Sequence, residues 1–180
     1  MKMIGNVILA LSLVSFAYAA KDVVSAVHGT ITKVDAATKI IVLKMADGTE
    51  RSFHFIERTA VHGADASVEA AKDSWRGLKA GTEVVAHYIA HGSEDTAVEI
   101  DKVGNNGLKM ADGTIRDIDR GGKKLIVKTS DGVESTFRLT DHAAKDGGKD
   151  LAEGAEKGSK VTVYYTEDAG EKIAHFFEKG

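Results

Sequence analysis

The sequence predicts an all-β protein of two tandem five-stranded barrels, each with a short helix between its third and fourth strands. Three observations carry that prediction. Gly29–Phe55 returns without a gap at Gly113–Leu139, 84 residues on, with ten of the 27 aligned positions identical. Within each copy the apolar residues alternate with the two-residue period of a half-buried strand. Gly, Asp and Asn punctuate the copies where turns belong, and proline is absent. A gapless repeat of this length is one structural unit used twice.

Met1–Ala19 reads as an export signal: Lys2 is the positive start, Val7–Phe16 the apolar run, and Ala17-Tyr18-Ala19 the small-x-small cleavage pattern. The apolar run is too short for a spanning helix. Cleavage would leave a first barrel over 20–104 and a second over 105–180, in a periplasmic or secreted protein with no membrane association of its own. The remaining chain carries 23 basic and 27 acidic residues, a net charge of −4 without a polybasic run, so nucleic acid is not an expected partner. With no cysteine, disulfides and thiolate metal sites are excluded.

Each strand follows from its pattern. The first, Thr30–Asp35, breaks alternation between Ile31 and Val34, as Ile115–Ile118 does, and a bulge bending a long strand around a barrel produces such a break. Asp35 and Asp119 fit as turn caps closing these strands. Ile41, Leu43 and Met45 share one face of the second strand, and Phe53 and Phe55 one face of the third. Between them, Ala46-Asp47-Gly48 suits a three-residue hairpin loop with Gly in the left-handed position. That register sets Ile41 opposite Phe53, Leu43 opposite Arg51 and Lys44 opposite Glu50. Lys128 and Glu134 repeat the last pair, which reads as a cross-strand ion pair.

Val68, Ala71 and Trp75 then lie at helical spacing, with a shorter version around Asp150–Ala152. Val84, Ala86 and Tyr88 follow as an inward strand face, mirrored by Val161, Val163 and Tyr165. Last strands run over Ala97–Lys102 and Ile173–Phe177. Three strands, a helix and two strands is the element order of an OB-like barrel, with an SH3-like barrel as the alternative.

Chemistry is sparse. There is no Gly-x-Ser-x-Gly elbow, no His-Glu-x-x-His and no complete phosphate loop, so an enzyme is not expected and no cofactor is implied. Five of the seven histidines, His28, His54, His62, His87 and His91, fall in the first repeat. His87 and His91 share a strand face as a candidate metal pair, but four residues of strand separate them by roughly 13 Å. Solvated surface histidines are the favoured reading. If the barrels bind a ligand, the outer face of strands two and three and the adjoining loops would supply Lys44, His54 and His91 in the first repeat, and Lys128 and Arg138 in the second.

GTITKVDAATKIIVLK, a Gly-bearing turn, LKAGTEVVAHY and AVEIDKV together resemble the periplasmic OB-fold copper and silver chaperones, and small secreted barrel repeats of unknown function. The resemblance runs the length of each repeat. It implies an exported OB barrel. In the chaperones it implies monovalent metal held by a strand-two histidine and a Met-x-Met preceded by Trp on strand three. Here strand three reads Glu50-Arg51-Ser52-Phe53-His54-Phe55, and strand two turns Val42 and Lys44 outward, so that ligand set is missing. The expectation is an exported, non-enzymatic tandem-barrel protein that binds a small ligand or a protein partner. The alternative is a periplasmic metal-binding protein using histidines of the first repeat.

Overall fold

Each repeat closes into its own barrel. The structure, a computed structural model, describes residues 24–63, 77–91, 94–146 and 156–180. The signal segment over Met1–Ala19, the helix around Val68–Trp75 and the stretch at Asp150–Ala152 lie outside those residues. Barrel one comprises β1 (Val24–Asp35), β2 (Ile40–Lys44), β3 (Glu50–His62), β4 (Glu83–His91) and β5 (Glu94–Lys102). Barrel two comprises β6 (Lys109–Asp119), β7 (Lys124–Thr129), β8 (Glu134–Leu139), α1 (Asp141–Asp146), β9 (Lys160–Asp168) and β10 (Glu171–Lys179).

Both barrels have the same order, β1-β2-β3-β5-β4 and β6-β7-β8-β10-β9, closed on themselves. The third and fifth strands pair parallel, Phe53 beside Asp95 and Phe137 beside Lys172, and all other neighbours are antiparallel. This Greek-key closure is that of the OB fold and not of the SH3-like alternative. Helix α1 starts immediately after β8, ahead of the stretch around Asp150, because Thr140 caps it: the Ala143 N–H donates to Thr140 Oγ1 at 3.1 Å.

The local expectations hold in detail. The first strands are bulged between Ile31 and Lys33 and between Ile115 and Asp117. Asp35 Oδ1 accepts from the N–H groups of Ala37 and Thr38, and Asp119 Oδ1 from that of Gly122. Ile41 registers with Phe53, Leu43 with Arg51 and Lys44 with Glu50 across a hairpin whose Gly48 has φ +85°. The expected cross-strand ion pair forms in neither repeat: Lys44 and Glu50 lie in register without an ion pair. Lys128 does register with Glu134, but Glu134 accepts from Arg116 Nε at 3.1 Å. The β6 bulge brings that guanidinium alongside.

Each barrel has its own core. Ile31, Ile41, Leu43, Phe53, Phe55, Val84 and Tyr88 fill the first, and Ile115, Leu125, Val127, Phe137, Leu139 and Val161 the second, with Tyr165 packed at its edge. Burying each large side chain contributes roughly 1.5–3 kcal/mol. A third, smaller cluster joins the barrels. Ala26 on β1 and Val85 on β4 meet Leu108, Tyr164 on β9 and Phe176 on β10. The connection at this seam is tight: Leu108 N donates to Lys102 O at 2.7 Å, and a Cβ on Gly107 would sit 2.0 Å from that same oxygen.

Candidate metal centre at the barrel seam

The outer face of β5 carries Glu99 and Asp101, two residues apart and therefore on the same side. Val98 is skipped at a bulge, which lets Ala97 and Ile100 both enter the core while both carboxylates stay outside. On one flank, β3 sets His62 directly opposite Asp101. A register shift between Phe55 and Ala60 allows this, held by Thr59, whose hydroxyl donates to Ala97 O at 2.6 Å and accepts from Ile56 N. On the other flank, β4 sets His87 opposite Glu99.

His62 Nδ1 lies 3.0 Å from Glu99 Oε1 and 2.9 Å from Asp101 Oδ1. One ligand atom from each of the three can be chosen so that all lie within 4.8 Å of one another. Tetrahedral zinc with bonds of about 2.0–2.1 Å separates its donors by roughly 3.3 Å, so this triad needs only small adjustments to close on an ion. His62 is exposed, which leaves a route in, whereas Asp101 is 3% exposed.

Barrel two covers the rest. The His87 and His142 rings lie 5.8 Å apart, and His142 Nδ1 is 3.9 Å from Glu99 Oε2. His175 on β10 hydrogen-bonds to Thr166 Oγ1 at 2.9 Å through Nε2. It lines a cavity of about 230 Å³ together with His62, Asp101 and Thr166. His87 is 2% exposed, against the solvated position the sequence suggested, and neither of its ring nitrogens has a hydrogen-bond partner. The facing Asp101 Oδ2 also lacks one. Unmade hydrogen bonds on buried polar groups cost about 1–3 kcal/mol each, and a cation beside Asp101 would relieve part of that.

Electrostatics favour the deprotonated acid. Burial works against the Asp101 carboxylate, but His87, His62 and His175 outweigh it and hold Asp101 below the ordinary carboxylate range. His175 is pushed below the usual imidazole value, first by burial, with Asp101 and Glu99 pulling the other way and His87 and His62 adding to the fall. Neutral imidazole and ionised carboxylate are the forms that ligate metal.

A second polar group spans the same seam. His28 Nε2 lies 2.7 Å from Glu83 Oε1, and His28 Nδ1 lies 3.3 Å from Glu178 Oε1. Tyr164 donates its hydroxyl to that Glu178 oxygen at 2.6 Å. Tyr164 and Glu178 stand 77 residues after His87 and Asp101, at the same places in the second barrel.

The sequence-predicted ligand residues are dispersed. Lys44 is exposed on β2 and His54 half-buried on β3. Lys128 lines a cavity of about 650 Å³ on barrel two with Lys160. Arg138 pairs with Glu171 at 3.1 Å and lines a different cavity. The side chain of His91 lies outside the described residues, so the His87/His91 pair is not seen together; His87 faces Asp101 and His142 instead. Sequence reasoning missed Glu99, Asp101, His62, His142 and His175 as a group. The available signal was the outward Glu-x-Asp of the last strand, which the second repeat replaces with Phe176 and Glu178.

No protein-family model and no curated protein matches the chain. Among solved structures it is similar to the crystal structure of Ag(I)CusF, with 16% identity over 44% of this chain and 96% of that one and a TM-score of 0.33. It is similar also to CusF-Ag(I) residues 10–88 from Escherichia coli, at 16% identity, 44% and 90% coverage and a TM-score of 0.33. For apo-CusF residues 6–88 from Escherichia coli the values are 15%, 44%, 86% and 0.32. Each of these matches spans less than half of this chain.

Proposed function

We propose that this is an exported, non-enzymatic tandem OB-barrel protein that binds a divalent transition-metal ion in the seam between its barrels, through His62, Glu99 and Asp101. The observation that carries the reading is the convergence of these three on one point, beside the buried His87 that faces Asp101 at 3.5 Å. It is the alternative expectation, metal binding by first-repeat histidines, with different histidines and with carboxylates added. An imidazole and carboxylate set suits Zn(II), Cu(II) or Ni(II); soft Cu(I) and Ag(I) prefer sulfur ligands. The N-terminal signal pattern supports a periplasmic or secreted setting, where such ions are met.

The test is titration of the metal-free protein lacking residues 1–19 with Zn(II), Cu(II) and Ag(I), by calorimetry with chelator competition. One equivalent of Zn(II) or Cu(II) should bind, and His62→Ala and Asp101→Asn should each remove that binding. Absence of stoichiometric binding, or binding indifferent to both substitutions, refutes the reading.

A further inference from the structure

Resting on that reading, we infer that the ion is shared between the barrels, with His175 of β10 as the ligand from barrel two, so that metal occupancy fastens the two barrels together.

Four observations point there. His175 lines the same cavity of about 230 Å³ as His62 and Asp101, from the opposite barrel. Its Nε2 is engaged by Thr166 Oγ1 at 2.9 Å, leaving Nδ1 for a ligand. Metal-binding histidines are characteristically fixed in this way through their other nitrogen, which sets both tautomer and ring orientation. The first-barrel triad supplies three donors, one short of the four that a closed tetrahedral site takes. Finally, the connection between the barrels runs along the same cavity: Gly63, Lys102, Asn106, Gly107 and Leu108 complete its lining. The proposed site therefore adjoins a cavity bordered by the segment that links one barrel to the other. His142, near Glu99, borders the site from α1 and is the comparison residue.

Cobalt(II) and zinc(II) binding of His175→Gln tests this. Gln can keep the hydrogen bond to Thr166 but is a poor metal ligand, and His175→Ala provides a second variant if Gln perturbs folding by circular dichroism. The expected result is at least a tenfold loss of Zn(II) affinity and an altered visible spectrum of the Co(II) form, with His142→Gln closer to wild type. Thermal melts of the wild type should show zinc raising the unfolding of both barrels together. Zn(II) affinity and a Co(II) spectrum unchanged in both His175 variants would overturn the bridge while leaving metal binding by barrel one intact. No zinc binding by the wild type would overturn the proposed function itself.

Discussion

His87 Nε2 faces Asp101 Oδ2 at 3.5 Å, with the two side chains 2% and 3% exposed. A contact so buried and so poorly hydrogen-bonded makes this corner of the seam sensitive to what sits beside it. Asp101→Asn keeps the shape and removes the charge. The metal-free protein should lose about 1–3 kcal/mol of stability, the range for a damaged buried hydrogen-bonded group. The larger difference should appear with Zn(II): a rise in urea midpoint for the wild type and none for the variant. A zinc-dependent rise of equal size in both proteins would exclude Asp101 as a ligand.

The His28 cluster predicts a pH window. Burial lowers the affinity of His28 for a proton, but Glu178 and Glu83 outweigh it and raise the imidazole above its ordinary 6.5. Its contribution is therefore complete below 6.5 and is lost as pH rises through the raised folded value. For Glu178, burial is outweighed by His28 and Tyr164, which hold the acid below its ordinary 4.5. That contribution is complete above 4.5 and fades as pH falls through the depressed folded value. The cluster stabilises the seam most between 4.5 and 6.5. Urea midpoints between pH 6 and pH 8.5 should decline in the wild type and decline less in His28→Gln. Identical slopes would remove His28 from the account.

Turn chemistry should matter more than the charges beside it. Lys44 and Glu50 are exposed and opposite one another, and exposed pairs contribute only about 0.2–1 kcal/mol. Replacing both by Thr should cost little. Gly48 has open space around it but φ +85°, where a β-branched residue is strained. Gly48→Val should cost more, and equal losses in urea melts would show that the loop can readjust.

Anions should bind weakly. The cavity that Lys128 and Lys160 line also holds Asp112, within an acidic protein of net charge −3. Single-stranded DNA should show micromolar or weaker affinity at physiological salt, falling further as salt rises. Nanomolar binding in a filter or fluorescence assay contradicts this.

The barrels were legible because their information is local. Ile41, Leu43, Phe53 and Phe55 face the core by simple alternation, and Gly48 and Asp35 mark turns by their own chemistry. The seam was not. His62, Glu99, Asp101, His142 and His175 come from three strands and a helix of two separate units, and no periodicity within one unit brings them together. His87 shows the limit well: alternation put it on the outer face, as observed, but only the docking of the other barrel turns that face into an interior.

Positions His87 and Asp101 of one barrel correspond to Tyr164 and Glu178 of the other, and both pairs face the same seam. Two identical barrels meeting through equivalent faces would present every residue twice, and any acid placed for one cluster would be obliged to appear in the other. Joining the copies in one polypeptide lifts that constraint. One copy has become an imidazole and carboxylate corner while its twin has become a phenol and carboxylate corner, so the duplicated chain holds a division of labour that a symmetric dimer of single barrels could not encode.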